Sequence, residues 1–329
     1  MALCSSASVV AGVSAGVLAL ALAGCFVWRR RQHSATRGFN AKLLGIITPS
    51  RSHGSSTRGA ALLDVVDPHE SLLRGDEWMI DLNHLVLKEE IGNGVSAQVF
   101  RGTYYAQEVA IKRLFSSLWE QEKFDDFFRT EAKMLRSLNH PNVVRFFGAA
   151  FDNETEHGYL VTEYCAKGSL TQMMKDKREE VSKPRYYAVM WGVAKGMEFF
   201  HSRGFVHRDL KPDNVLLDGE DVVKLCDFGL SRHVERDTTQ MTAGVGTPAY
   251  MAIELITGES NTVHCDNTVD VFSMGILMWT LWTHEVPYKK MNLTPFMLMT
   301  KLVSGLRPEI PVDMPEKLAK LMSSCWDQD

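Results

Sequence analysis

Two short polar motifs and the segment between them limit what this chain can fold into more than any other feature. The first motif is His207–Asn214, which reads HRDLKPDN, and the second is Asp227–Gly229, which reads DFG. Residues 215–225 between them read as an apolar strand, a polar turn and a second apolar strand. That pattern predicts a hairpin, which would bring the two acidic loops side by side. Packing alone does not explain such a convergence, so the pattern indicates a functional site.

The residue types in these two motifs suit one kind of chemistry. A carboxylate such as that of Asp209 can orient a hydroxyl group and accept its proton. The side-chain oxygens of Asn214 and Asp227 are the hard ligands that Mg²⁺ on a triphosphate prefers. The ammonium group of Lys211 can balance the charge of a phosphoryl group during its transfer.

Both motifs resemble the catalytic and metal-binding loops of protein kinases. The resemblance implies ATP and Mg²⁺ as cofactors and proteins as substrates. It also implies that Asp209 is the catalytic base and that Asn214 and Asp227 are the metal ligands. Lys211 lies two residues after the base, and this spacing resembles the serine/threonine pattern rather than the tyrosine-specific one.

A glycine-rich turn and a strand that ends in lysine precede these motifs. Residues 85–100 alternate like two strands around Gly92–Gly94, where glycine would let backbone N–H groups approach phosphate oxygens. Val109–Lys112 resembles the kinase strand whose lysine binds the α- and β-phosphates. Glu131 lies on the apolar stripe of a predicted helix, and a buried carboxylate needs a partner. We therefore predict an ion pair between Lys112 and Glu131, with a rotated helix and a solvated Glu131 as the alternative.

The resemblance also implies a nucleotide pocket beside these elements. Thr162 would be the small residue next to the adenine, and Glu163 and Cys165 would offer main-chain hydrogen bonds to it. The residues implied to bind nucleotide are Ile91, Gly92, Asn93, Gly94, Val95, Val99, Ala110, Lys112, Thr162, Glu163, Cys165, Leu216 and Asp227. The implied catalytic set is Asp209, Lys211, Asn214, Asp227, Lys112 and Glu131.

A polar stretch after the second motif resembles a kinase activation loop. A phosphate on a threonine of this loop could pair with Arg208, which directly precedes the implied base. Thr242 is the preferred phosphorylation candidate, followed by Thr239 and Thr238, and an unmodified, solvated threonine is the alternative. Thr247 instead resembles the threonine that contacts the base and the lysine in serine/threonine kinases.

The C-terminal part departs from the kinase pattern in two places. Ile253 stands where a proline is usual, and the sequence stops at Asp329, before the arginine that would pair with Glu254. Because an incomplete large lobe would impair catalysis, an ATP-binding scaffold is the alternative to an active enzyme. Gly305–Pro308 and Cys325–Trp326 resemble motifs of the tyrosine-kinase-like group of serine/threonine kinases.

Charge is distributed unevenly along the chain. The net charge is -4, yet the first 63 residues hold seven basic and no acidic side chains, which leaves 29 basic and 40 acidic ones in the rest. A main domain with this acidic excess is not expected to bind nucleic acid. The six cysteines show no C-x-x-C spacing, which argues against a disulfide scaffold.

The N-terminal 28 residues carry no charged side chain, and residues 7–28 form an apolar run long enough to cross a bilayer as a helix. Because Arg29–Arg31 follow it, the positive-inside rule predicts a single-pass membrane protein whose remaining chain is cytosolic. A cleaved signal peptide is the alternative. Gly12 and Gly16 form a G-x-x-x-G face on which two such helices could form a homodimer.

These patterns together predict an α+β, bilobal protein-kinase-like fold preceded by a single transmembrane helix. We expect a tail at residues 1–6, the span at 7–28, a mostly disordered linker at 29–80 and the kinase domain at 81–329. Within that domain, residues 81–163 would form a small antiparallel β-sheet lobe with one helix, and residues 164–329 a larger, mainly α-helical lobe. The basic half of the linker could lie on anionic lipid headgroups, and a plain solvated tether is the alternative.

Overall fold

The computed structural model describes residues 78–94, 97–115, 121–176, 181–229, 232–233, 247–257 and 267–327. These residues form the two lobes that the sequence predicts, a β-rich one followed by a mainly helical one. No helix in the described part of the chain is long and apolar enough to cross a membrane. The predicted span at residues 7–28 lies outside the described residues.

An antiparallel sheet with the order β1-β2-β3-β5-β4 makes up most of the small lobe. Its strands are β1 (Leu85–Asn93), β2 (Ala97–Tyr104), β3 (Gln107–Phe115), β4 (Phe146–Asp152) and β5 (His157–Glu163). Strand β3 shows why the sheet has two different faces. Val109 and Ile111 are fully buried on one face, while Ala110 and Lys112 alternate with them and are partly exposed on the other.

Helix α1 (Gln121–Ser137) packs against this sheet through the apolar stripe predicted from the sequence. Phe124, Phe128 and Leu135 on that stripe are buried. Gly158 of β5 allows the close approach, since a Cβ there would lie 3.0 Å from the Phe128 ring and 3.1 Å from the Phe124 ring. The helix is therefore held in one rotational setting, with Glu131 on its buried face.

The first described residues contact the small lobe. We expected the linker to extend to residue 80, but Trp78–Ile80 pack against β4. The Trp78 indole is buried and Met79 forms a parallel bridge with Ala149. The predicted boundary followed the acidic composition of residues 64–77, whereas a buried tryptophan stabilises a short segment by a few kcal/mol.

The large lobe combines short strands with six described helices. The strands are β6 (Gly168–Ser169), β7 (Phe205–Val206), β8 (Val215–Leu217), β9 (Val223–Leu225) and β10 (Arg232–His233). The helices are α2 (Leu170–Lys175), α3 (Lys183–Ser202), α4 (Ile253–Thr257), α5 (Thr268–Thr283), α6 (Pro295–Val303) and α7 (Glu316–Cys325). The predicted hairpin is present as the antiparallel pair β8 and β9, in which Val215 faces Leu225.

Two helices of the large lobe support this hairpin and the loops at its ends. Helix α5 is apolar on nearly all sides and is buried over most of its length, as expected for a helix in the centre of a lobe. Helix α3 presents two glycines to β9. A Cβ at Gly192 would lie 2.7 Å from Val223 Cβ, and one at Gly196 would lie 2.8 Å from the Asn142 carbonyl oxygen.

The close contact of α3 with β9 makes a prediction about stability. Alanine normally favours a helix over glycine by about 1 kcal/mol, but at Gly196 its methyl group would overlap with Leu225 and Asn142. We expect Gly196→Ala to lower the free energy of unfolding by about 1–3 kcal/mol, measured by urea denaturation. Gly219→Ala is the control, since a Cβ there meets no atom within 4 Å. Equal stability of the two variants would contradict this packing.

Candidate active site

Lys112 on β3 lies at the centre of a charged cluster between the lobes. Its Nζ atom is 2.9 Å from Glu131 Oε1 on helix α1 and 3.1 Å from Asp227 Oδ1. Burial lowers the pKa of Lys112, but the two carboxylates outweigh it and leave that pKa above its ordinary value. The lysine is therefore a permanent cation, and it links the helix of one lobe to a loop of the other.

Glu131 is almost completely buried, with its side chain 4% exposed. Its Oε2 atom is also buried and has no hydrogen-bond partner among the described residues. A buried carboxylate without a cation would cost several kcal/mol. The structure contains the ion pair between Lys112 and Glu131 that the apolar stripe predicted. Because Glu131 needs this cation, the pair helps to fix the position of helix α1.

Asp227 joins this cluster from the large lobe in an unusual backbone conformation. Its φ angle of 58° lies in the left-handed region, which costs a non-glycine residue about 1–2 kcal/mol. The next residue, Phe228, is buried and anchors the turn, with its ring centroid 5.1 Å from that of Phe200 and 5.3 Å from that of His207. The Lys112 ammonium lowers the pKa of the Asp227 carboxyl. Its side chain is 48% exposed, so this anionic group is accessible to solvent.

The loop that carries Asp209 forms a second, connected cluster. Lys211 Nζ lies 2.6 Å from Asp209 Oδ2 and donates to Thr247 Oγ1 at 3.0 Å. Asn214 Nδ2 donates to the same Asp209 Oδ2 at 2.9 Å and to the Asp209 carbonyl at 2.8 Å. Because the amide nitrogen makes these bonds, the Asn214 oxygen is left to accept. The Cys226 N–H donates to the Asn214 carbonyl at 3.1 Å, which joins this loop to the one that carries Asp227.

A buried carboxylate on α5 fixes the backbone of the Asp209 loop. Asp270 is 1% exposed and accepts from the backbone N–H groups of His207 at 2.8 Å and Arg208 at 2.7 Å. The same carboxylate lies 2.8 Å from His201 Nε2. These bonds hold Arg208 at a φ angle of 69°, again in the left-handed region. Burial raises the pKa of Asp270, but the bond to His201 and the other contacts outweigh it and lower that pKa.

Comparison with known proteins identifies the family to which this arrangement belongs. Residues 85–329 match the family described as protein tyrosine and serine/threonine kinase. The chain is a member of the protein kinase family. This match covers the whole of both clusters and every described element from β1 onward.

Several curated protein kinases are similar to this chain over most of its length. The serine/threonine-protein kinase STY17 of Arabidopsis thaliana is 37% identical over 255 residues, which are 77% of this chain and 43% of STY17. The serine/threonine-protein kinase CTR1 of the same plant is 34% identical over 262 residues, 78% of this chain and 31% of CTR1. The dual specificity protein kinase shkB of Dictyostelium discoideum is 32% identical over 286 residues, 84% of this chain and 42% of shkB. The chain thus spans less than half the length of these relatives.

Residues predicted to line the nucleotide pocket of this kinase come together on neighbouring strands. Val99 faces Lys112 across β2 and β3, and Ala110 faces Thr162 across β3 and β5. All four side chains are partly exposed, as is that of Leu216, which lies on β8.

Glu163 is the last residue of β5 and Cys165 lies two residues later, and the surroundings of the two residues differ. The Glu163 N–H already donates to the Arg145 carbonyl at 2.8 Å, so only its carbonyl could serve a ligand. Cys165 is buried, and burial raises the pKa of its thiol to about 12. This thiol stays protonated at neutral pH and acts as a small apolar group.

The side chain of Glu163 makes a contact that the sequence reasoning missed. It accepts from the Arg145 N–H at 2.7 Å and forms an ion pair with Lys224 Nζ at 3.0 Å. Lys224 lies on β9, so this partly buried pair joins the last strand of the small lobe to the hairpin of the large lobe. Alternation along β9 could have predicted that Lys224 lies on the opposite face from Val223 and Leu225. No local pattern in the sequence predicts that its partner is Glu163, which is 61 residues away.

The glycine-rich turn is described only in part. Strands β1 and β2 pair up to Asn93 and Gln98, and the Gly94 N–H donates to the Ala97 carbonyl at 2.8 Å. Ile91, Gly92 and Asn93 form the end of β1. Val95 lies outside the described residues, as do Thr238, Thr239 and Thr242 of the predicted activation loop and Gly12 and Gly16 of the predicted span.

Glu254 has a contact that the sequence did not predict. We expected it to lack its partner, and in the structure Glu254 Oε1 lies 3.5 Å from Thr268 Oγ1, the limit of a hydrogen bond. Thr268 begins helix α5, so the contact lies at the start of the helix that also carries Asp270.

The Asp270 contacts predict a specific dependence of stability on pH. Since the folded-state pKa of Asp270 is lowered, its stabilising contribution is complete above its ordinary pKa of 3.8 and is lost as pH falls through the lowered value. We expect Asp270→Asn to reduce the free energy of unfolding at pH 7 by about 3–5 kcal/mol, and the gap to the wild type should narrow below pH about 4.

The measurement for this prediction is urea denaturation of both proteins across that pH range. Asp126→Asn is the matched control, because Asp126 is exposed on helix α1. A gap between wild type and Asp270→Asn that stays constant down to acid pH would show that the carboxylate charge is not what stabilises the loop.

Proposed function

We propose that this kinase transfers the γ-phosphoryl group of ATP to serine and threonine hydroxyls of proteins in a Mg²⁺-dependent reaction. The observation that carries the proposal is the continuous set of contacts from Glu131 through Lys112 to Asp227, beside the Asp209 cluster. Phosphoryl transfer requires little covalent chemistry from the protein, and positioned charges supply most of the catalysis. Lys112, Lys211 and the three carboxylates of these clusters are the charged groups that would supply this catalysis.

The donor groups of the cleft fit a magnesium-bound nucleotide. Mg²⁺ prefers one or two protein oxygens and completes its shell with phosphates and water. Asp227 offers an exposed carboxylate with a lowered pKa, and Asn214 has its amide oxygen left to accept. Among the described residues, no group of three or more His, Cys, Asp or Glu could hold a metal by itself. Mg²⁺, when bound with ATP, would neutralise negative charge on the phosphates.

Each remaining charged residue has a proposed role in this reaction. Lys112 would bind the α- and β-phosphates while Glu131 holds it in place. Asp209 would orient the acceptor hydroxyl and accept its proton. Lys211 lies between Asp209 and Thr247 and would offset charge on the phosphoryl group as it moves.

The adenine would lie between the lobes, with Val99, Ala110 and Leu216 against its faces. Thr162 is small enough to leave the inner end of this pocket open. The Glu163 carbonyl and the Cys165 N–H would form its main-chain hydrogen bonds.

The proposed serine/threonine specificity rests on Lys211 and its bond to Thr247, and on the similarity to STY17 and CTR1, which are named serine/threonine-protein kinases. The relative shkB is named a dual specificity kinase. Phosphoamino-acid analysis of a phosphorylated generic substrate would distinguish the two. Phosphotyrosine as the main product would contradict this part of the proposal.

We further propose that residues 7–28 anchor the kinase in a membrane as a single span, with the kinase domain in the cytosol and a role in signal transduction. Basic residues of the linker would contact anionic lipids, and the Gly12/Gly16 face would allow a homodimer. The support is the uncharged run followed by Arg29–Arg31. Release of the full chain from membranes by alkaline carbonate would contradict the anchor.

Regulation by phosphorylation is proposed at the activation loop. Thr242 is the first candidate, and Thr239 and Thr238 follow. All three lie in the stretch before Thr247, which contacts Lys211. Arg208 would pair with the phosphate. Mass spectrometry of the active protein would locate the modified threonine.

Two substitutions test the proposed reaction. Asp209→Asn removes the proton acceptor and Asp227→Asn removes the anionic metal ligand, so each should lower phosphate transfer to a generic protein by about 10²–10⁴-fold. The assay measures transfer of labelled γ-phosphate in the presence of Mg²⁺. Asp313→Asn is the control, because Asp313 is exposed and bonds only Trp282 among the described residues.

The same assay separates an enzyme from an ATP-binding scaffold. A wild-type protein that binds Mg-ATP yet transfers no more phosphate than Asp209→Asn would support the scaffold and contradict the proposed activity.

A further inference from the structure

The first described residues form a short extra strand on the exposed edge of the small-lobe sheet. Strand β4 is the last strand of that sheet. The Ala149 N–H donates to the Trp78 carbonyl at 2.9 Å, and the Ile80 N–H donates to the Ala149 carbonyl at 2.8 Å. Met79 and Ala149 form a parallel bridge between these bonds. The segment Trp78–Ile80, which we call the edge segment, is therefore held by β4 in one register.

The sequence of β4 is adapted to this contact at one position. A Cβ at Gly148 would lie 2.8 Å from the Trp78 carbonyl oxygen and closer still to Ile80 Cγ2. Backbone atoms cannot shift as easily as the end of a flexible side chain. Any larger residue at position 148 would therefore push the edge segment away from β4.

The Trp78 side chain reaches from this edge to helix α1. It is 6% exposed, and its ring meets that of Phe128 edge to face with centroids 6.1 Å apart. Phe128 in turn stacks on Phe124, with centroids 6.2 Å apart and planes 8° from parallel. The indole is thus part of the surface on which α1 rests.

Phe128 and Glu131 are three residues apart on α1 and lie on the same face of the helix. The side chain that Trp78 supports is therefore the neighbour of the one that bonds Lys112 at 2.9 Å. We propose that Trp78 is a positioning residue for the reaction: it fixes α1 so that Glu131 reaches Lys112. This inference rests on the proposed function, because it gives the Lys112–Glu131 pair a catalytic role.

A second consequence follows from where the edge segment lies in the chain. It is the last part of residues 29–80, which the sequence assigns to the linker. The contact is made by these three residues through two backbone bonds, the Trp78 indole, and the side chains of Met79 and Ile80, which pack against buried residues of the lobe. The linker therefore joins the catalytic unit at the point where the setting of α1 is decided.

The test compares substitutions that remove the support with a matched control in the full chain. Trp78→Ala removes the indole, and Gly148→Ala displaces the backbone of the edge segment while the indole is retained. Both should lower kcat by about tenfold, with Trp78→Phe restoring it to within about threefold. Trp326→Ala is the control, because Trp326 is also 6% exposed but packs on Gly275 of α5, and it should lower the melting temperature without this fall in kcat.

A double-mutant comparison and a nucleotide-free measurement complete the test. In a Glu131→Gln background, Trp78→Ala should have little further effect on kcat, because both changes act through one ion pair. Hydrogen exchange of residues 121–137 without nucleotide should be faster in Trp78→Ala and Gly148→Ala than in Trp326→Ala.

The outcomes separate this inference from the proposed function. Absence of transfer by the wild-type protein would overturn the proposed function, while hydrogen exchange would still report whether Trp78 fixes α1. Normal exchange in α1 together with a kcat near that of the wild type would overturn the role of Trp78. If Trp78→Ala does not fold, Gly148→Ala and Trp78→Phe decide the question by the same two measurements.

Discussion

The structure depends on one ammonium group that serves two carboxylates from different lobes. Lys112 Nζ bonds Glu131 on helix α1 and Asp227 on the loop after β9. Glu131 is buried, and burying its carboxylate without this cation would cost several kcal/mol. The ion pair therefore fixes the helix on the sheet, and the second bond connects the small lobe to the loop that carries Asp227. In the proposed reaction, nucleotide phosphates would enter beside a cluster of one cation and two carboxylates, and Mg²⁺ would offset the excess negative charge.

The large lobe supports its half of the site by a different physical means. Two non-glycine residues at critical turns, Arg208 and Asp227, have left-handed φ angles of 69° and 58°. Such conformations persist only where surrounding contacts favour them strongly. Asp270 supplies those contacts for Arg208 through backbone hydrogen bonds, and the buried ring of Phe228 does so for Asp227. The backbone strain at Arg208 and Asp227 is thus offset by contacts with buried side chains of the large lobe.

Local patterns in the sequence predicted the parts of the site that repeat with a regular period or fall in a contiguous motif. The resemblance of Val109–Lys112 to a kinase strand indicated Lys112, and the apolar stripe of α1 indicated Glu131. The apolar–polar–apolar pattern predicted the β8–β9 hairpin. The two-lobed kinase fold and the protein kinase family followed from the resemblance of the motifs and were confirmed.

Contacts between distant segments without a pattern of their own could not be predicted. The ion pair of Glu163 with Lys224 joins two strands whose side chains give no sign of each other. Trp78 lies in a segment whose composition resembles the linker before it, and only the shape of the groove beside Gly148 shows why it packs there. Such contacts depend on how separate elements pack in three dimensions, which the sequence of a single element does not predict.

The asymmetry of the Asp209 carboxylate has a consequence for the direction of proton movement. Lys211 and Asn214 both bond Oδ2, so turning the carboxylate about its Cβ–Cγ bond would break two contacts at once. In the proposed reaction, only the other oxygen, Oδ1, would then accept the proton. A substrate hydroxyl that approached from the lysine side would find both lone pairs of Oδ2 already bonded. In the proposed reaction, the hydroxyl of a protein substrate would therefore approach from the Oδ1 side.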